Sequence, residues 1–212
     1  FRPFLPMTQA TFQVRAEYIS EAFNSLSNDS YESGIKYLEA SLMTRDFISP
    51  WVPNIGAYPL DYGSIPQRKS ELTGWYSYYF DFATNLISTG HEKSNEIMEL
   101  LISSFRGLWE TNLIDDKLYD WFSSLIDPKS RAFGWRSIII ALNYDGKKMI
   151  ENKINRTVEL EKIVRPKNTI EEIYAYIGLS PSIPPAMYEL FIDSDRDTDP
   201  GEKYKRKLHE IG

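Results

Sequence analysis

Four aspartates alternate in Asp193-Ser194-Asp195-Arg196-Asp197-Thr198-Asp199, a set of hard oxygen donors of the kind that would hold calcium. An EF-hand loop needs glycine at its sixth position and a bidentate glutamate at its twelfth. Counted from Asp193, those places hold Thr198 and Tyr204; counted from Asp195, they hold Pro200 and Arg206. Neither register works, so the run is read as a solvated acidic turn capping a last helix, and no metal site is expected. His91 and His209 are the two histidines, and no serine or acid stands in a known catalytic spacing to either. The chain has no Gly-x-Ser-x-Gly, no His-Glu-x-x-His, no dinucleotide-type glycine fingerprint and no phosphate-loop run; Asp145-Gly146-Lys147-Lys148 reads as a turn followed by basic residues. The paired acids Asp115-Asp116 and Glu171-Glu172 fall near predicted helix starts, where the helix dipole accounts for them. No catalytic residue and no cofactor are therefore expected. A rival enzyme reading would need a pocket in which His91, Asp61 and Asp115 converge.

Two further stretches could make contacts. Lys203-Tyr204-Lys205-Arg206-Lys207 combines cations with an aromatic, but the preceding acidic run cancels its field, and a charged outer face of an amphipathic helix is the simpler reading. The stretch from Phe47 to Tyr62 is rich in apolar and aromatic side chains yet punctuated by Pro50, Pro53 and Pro59. Loops run over protein surfaces, so something must cover it. Either it packs across its own helices, or Trp51, Tyr58 and Tyr62 dock onto a partner. Those three are the candidate partner-binding residues, because large rigid aromatics supply contact area at low entropy cost.

The elements that would carry these residues are helical almost throughout, with no convincing period-two alternation. A first helix is expected over about Thr8 to Leu26. In a second, Tyr31, Ile35, Leu38 and Leu42 form one buried stripe after N-cap oxygens at Asn28-Asp29-Ser30. Prolines and glycines break the pattern from Ile48 to Pro66, a long loop. Next comes a helix capped by Ser70, carrying Leu72, Trp75, Tyr79, Phe82 and Leu86, with Tyr76, Tyr78 and Phe80 widening its apolar arc. Further helices are expected over about Lys93 to Trp109 (Ile97, Leu101, Phe105, Leu108 inward) and Asp115 to Ile126 (Leu118, Phe122, Leu125 inward). Asp127-Pro128 should stop the latter, Trp135 to Leu142 make the next, and Asn143 to Gly146 a turn. A helix with Ile154, Val158 and Glu161 then ends at Arg165-Pro166, and one with Ile170, Ile173, Tyr174 and Ile177 comes after Asn168-Thr169. Residues 178–199 are irregular before a last helix opened by Asp199-Pro200-Gly201-Glu202. The predicted fold is all-α: antiparallel helix pairs in one domain, a bundle or short HEAT-like solenoid, with one long proline- and aromatic-rich loop.

Composition sets the bounds. The 212 residues are 42% hydrophobic and 25% charged, enough apolar material for a sizeable core. A net charge of -6 disfavours a phosphate-backbone binder, so nucleic acid is not an expected partner. No window of about 18 apolar residues is free of charge, and no membrane partner is expected. The absence of cysteine removes disulfides and thiolate chemistry, and a cytoplasmic location is the expectation. The chain begins at Phe1 without a secretory pattern and ends at Gly212 without a tail-like composition, which reads as a piece of a longer polypeptide.

Several stretches carry a resemblance: Leu38-Glu39-Ala40-Ser41-Leu42-Met43 leading to Asp46-Phe47, Asp61-Tyr62-Gly63 followed by Trp75-Tyr76, and Phe105-Arg106-Gly107-Leu108-Trp109. Trp135 with Tyr144-Asp145-Gly146-Lys147, and Leu160 to Pro166 leading to Ile173-Tyr174-Ala175-Tyr176-Ile177, complete it. Together, over about Leu38 to Ile177, they resemble the helical region of large bacterial STAND or NACHT-like signal-transducing NTPases of the anti-phage defence type. The resemblance implies a non-catalytic helical scaffold or sensor-side module, with the nucleotide-binding core and effector outside this chain. It implies protein partners, either other domains of a parent chain or a phage-derived trigger, and oligomerisation on activation. The alternative is a generic helical adaptor of another complex. Residues from Pro181 to Gly212 match nothing in that pattern.

Overall fold

The computed structural model describes residues 10–25, 27–44, 66 and 68–176. Among them the fold is all-helical, as expected, with 82% of residues in helix and eight α-helices. The chain divides into two compact units, Phe1–Asp115 and Asp116–Gly212. Of the Ile48 to Pro66 loop only Pro66 lies among the described residues; the expected last helix and the 178–199 segment lie outside them. No described helix is long and apolar enough to cross a membrane.

The first unit contains α1 (Phe12–Asn24), α2 (Asn28–Leu42), α3 (Lys69–Ser88) and α4 (Ser94–Thr111). Helix α1 starts where the Thr11 hydroxyl accepts the Val14 N–H, one of the orphan donors of a first turn. Of the predicted stripe on α2, Tyr31, Leu38 and Leu42 are buried, while Ile35 is only half-buried and Gly34 and Ser41 complete the inner face. Helix α3 is buried along Trp75, Tyr76, Tyr79, Phe80 and Ala83. Tyr76 and Phe80 widen the arc as expected, but Tyr78, also expected there, is 39% exposed, and the predicted Leu72, Phe82 and Leu86 are half-buried. Each large side chain fully removed from water contributes about 1.5–3 kcal/mol, so α3 supplies much of this core. It ends in a Schellman motif: Gly90 sits at φ 70°, its N–H reaches Ile87 O and the His91 N–H reaches Leu86 O at 3.1 Å. Helix α4 buries Ile97, Leu101, Phe105 and Leu108 as predicted, with Trp109 stacked on Phe105.

The second unit is built on α5 (Asp115–Ser123), α6 (Pro128–Asp145), a 3-10 turn (Gly146–Lys148), α7 (Glu151–Val164) and α8 (Thr169–Tyr176). Leu118, Phe122 and Leu125 are buried as expected. Asp127-Pro128 does more than stop α5. The Asp127 carboxylate accepts the Ser130 N–H at 2.8 Å and Pro128 takes the first helical position, so the dipeptide opens α6 about two turns before the predicted Trp135. The predicted turn at Asn143 to Gly146 is likewise helical through Asp145. Gly134 lets α6 approach α5 closely: a Cβ there would lie 2.8 Å from a Leu125 methyl and 3.5 Å from the Phe122 ring.

Candidate functional site

Within the first unit, α3 grips the end of α2. Trp75 donates its indole N–H to Ser41 O at 2.8 Å, and the Tyr76 hydroxyl donates to Met43 O at 3.0 Å. The last carbonyls of a helix lack intrahelical donors, and here two aromatic side chains of the next helix supply them. The end of α2 is thereby tied to α3, a few residues in sequence before the aromatic and proline-rich stretch. The candidate partner-binding residues Trp51, Tyr58 and Tyr62 themselves lie outside the described residues, as do Asp61, Asp193 to Asp199, Lys203 to Lys207 and His209.

Beside Thr44 lies a groove of about 220 Å³ between α2 and α4, lined by Glu39, Leu42, Met43, Leu100, Ser104 and Gly107 among others. A Cβ at position 107 would run into the Thr44 hydroxyl, so glycine lets the end of α2 settle against α4. The groove offers one carboxylate, hydroxyls and an apolar wall.

Burial holds the Tyr76 and Tyr79 hydroxyls well above their ordinary pKa. Tyr79 faces Ser41 and the guanidinium of Arg15 but reaches hydrogen-bond geometry with neither. Arg15 is itself fully buried, donating to Ala10 O at 2.8 Å and lying 5.5 Å from the Trp75 ring centroid; its desolvation lowers its pKa.

Of the acid–base candidates, His91 takes part in joining helices. His91 accepts the Lys93 N–H at Nδ1 (3.1 Å), so its Nε2 carries the proton and donates to Phe23 O at 3.1 Å. The ring packs edge-on against Phe23 and Tyr31. Asp115 stands at the first residue of α5, and no group of three or more metal-ligating side chains occurs among the described residues.

The second unit holds a polar network that spacing alone does not reveal. Glu161, on the inner face of α7, accepts the Trp135 indole N–H at 2.6 Å and a two-pronged Arg165 at 2.8 and 3.0 Å. Arg131 on α6 donates to Ile163 O (3.3 Å) and Arg165 O (3.0 Å) at the end of α7, and its Nε lies 3.5 Å from Glu171 of α8. A glutamate in register with Ile154 and Val158 is the one signal of it in the sequence: an acid on an apolar stripe must find a donor there.

No family model, no curated protein and no solved structure matches this chain. The arrangement is one of positioning: aromatic, acidic and basic side chains tie helix ends together.

Proposed function

We propose that this chain is a non-catalytic helical scaffold, the sensor-side module of a bacterial STAND-type signal-transducing NTPase acting in anti-phage defence. The helices serve as a frame from which Trp51, Tyr58 and Tyr62 meet a protein partner. The observation that supports this reading is the grip of Trp75 and Tyr76 on the last carbonyls of α2, which ties to α3 the helix end that precedes that aromatic stretch in the sequence. Support also comes from the residues behind the family resemblance. Leu38, Leu42, Phe105, Leu108, Trp109, Trp135, Leu160 and Val164 are all buried in helix packing, as a scaffold requires.

Charge adds a second support. Residues 1–115 hold eight Lys and Arg against fourteen Asp and Glu, whereas residues 116–212 hold sixteen of each. The net charge of -6 therefore rides on the first unit, and a partner meeting it would be recognised partly by complementary positive potential.

Trp51→Ala and Tyr58→Ala are expected to weaken association with the rest of the parent chain or with a phage-derived trigger, leaving the helical circular-dichroism signal unchanged. Unfolding by both substitutions would instead make the stretch part of the core and move the interaction site elsewhere. Capture from infected and uninfected cells separates a defence sensor from a general adaptor, since only the sensor acquires an infection-specific partner.

A further inference from the structure

The burial pattern of α6 divides its circumference in two. Its buried positions, from Ala132 to Asp145, fall on one half. The other half presents Lys129, Phe133, Arg136, Ile140 and Tyr144, none of them buried, and no acidic residue stands among its positions. Two cations flank the ring in the middle of this face: Lys129 Nζ lies 5.4 Å and the Arg136 guanidinium 5.0 Å from the Phe133 centroid. Lys129 is exposed, whereas Arg136 is half-buried and its desolvation lowers its pKa. A partly desolvated guanidinium gains more from a carboxylate than a fully solvated one does. Lys129, Arg136 and Tyr144 each make a further interaction as well.

The sequence holds a matching set of charges. Asp193 to Asp199 carries four carboxylates against the single Arg196, and it fits no calcium loop. Helix α8 packs on α6 and ends at Tyr176, and 16 residues stand between Tyr176 and Asp193. That length of chain can span up to about 55 Å, about twice the roughly 27 Å of an 18-residue helix. The acidic run therefore reaches every point of the basic and aromatic face. A tether of this length also gives the run an effective concentration on the order of millimolar, at which weak ion pairs suffice.

We propose that the outward face of α6 is a docking surface for the acidic run Asp193–Asp199 of the same chain, with Lys129 and Arg136 pairing its carboxylates on either side of Phe133. The acid-free face and the acid-rich run account for each other by charge. This inference stands independently of the defence reading.

Zero-length carbodiimide cross-linking of the full chain tests it. Mixing isotope-labelled with unlabelled protein lets mass spectrometry separate links within a molecule from links between molecules. An amide between Lys129 Nζ and a carboxylate of residues 193–199, formed within one molecule, is expected. Its yield should fall in Arg136→Gln and in salt of about 0.5 M. In a variant combining Asp193→Asn, Asp195→Asn, Asp197→Asn and Asp199→Asn, Lys129 should acylate about threefold faster or more than in the parent. Lys36 of α2 serves as the unchanged reference. No link to Lys129, a run linked only to Lys203, Lys205 and Lys207, links to Lys129 formed only between molecules, or unchanged Lys129 acylation would each overturn the proposal. Should Arg136→Gln fail to fold, the parent cross-link and the acylation rates decide.

Discussion

Two neighbouring tyrosines of α3, both buried, illustrate how differently the same side chain can be used. The Tyr76 hydroxyl completes a helix end, while that of Tyr79 is enclosed without a hydrogen-bond partner. Tyr76→Phe should therefore cost about 1 kcal/mol, the net worth of one hydrogen bond plus an orphaned acceptor, whereas Tyr79→Phe should be neutral or stabilising. Urea titration of the two variants checks the contrast. Desolvation raises both hydroxyls above the ordinary value of 10.0. Above about pH 10 the unfolded chain loses those protons while the folded chain retains them, so the unfolded state binds fewer protons and stability falls as pH rises. The contribution is whole below about pH 10 and is lost above it. The double Tyr→Phe variant should show a flatter alkaline limb than the parent in thermal melts recorded from about pH 8 to 11.

At the scale of the element, the joints between helices are decided by small residues and by capping groups. Gly107→Ala would force its methyl into the Thr44 hydroxyl, and a cost of about 1–3 kcal/mol is expected where α2 cannot shift. Thr44→Ala removes the obstacle, so the double variant should recover most of the loss. Chemical denaturation of the four proteins reads this cycle directly. The same scale explains why α6 begins earlier than apolar spacing predicts. Asp-Pro ends a preceding helix and begins a following one with equal chemistry, since proline lacks the N–H that a first turn leaves unused. The choice falls to whether the residues after it can pack, and Ala132 and Gly134 are small and buried, with Gly134 set directly against α5.

For the whole molecule, the uneven charge and the scaffold proposal lead to one further expectation. If a partner engages the acidic first unit, its affinity should fall as salt rises from about 0.05 to 0.5 M, chiefly through the association rate. Surface plasmon resonance with the captured partner measures this. A titration of the chain with ATP and magnesium is expected to give no saturable binding, and a stoichiometric site would remove the non-catalytic reading.

What the sequence determined by itself was whatever depends on local spacing. Apolar residues three and four apart announced the all-α class, the inward faces of α4 and α5, and the stop at Arg165-Pro166, because a helix buries whatever its period aligns. Its aromatic, proline-punctuated stretch also named Trp51, Tyr58 and Tyr62 as candidates. Tertiary structure alone decided the cross-helix partners. Nothing in the spacing of Trp75 and Ser41, 34 residues apart, or of Trp135 and Glu161, 26 apart, forecasts a hydrogen bond. Such pairs arise only when two faces meet and each buried donor or acceptor takes the partner within reach, since leaving it unpaired costs more than the bond returns. For the same reason Arg131, an unremarkable basic residue in the sequence, became the group that joins three helices.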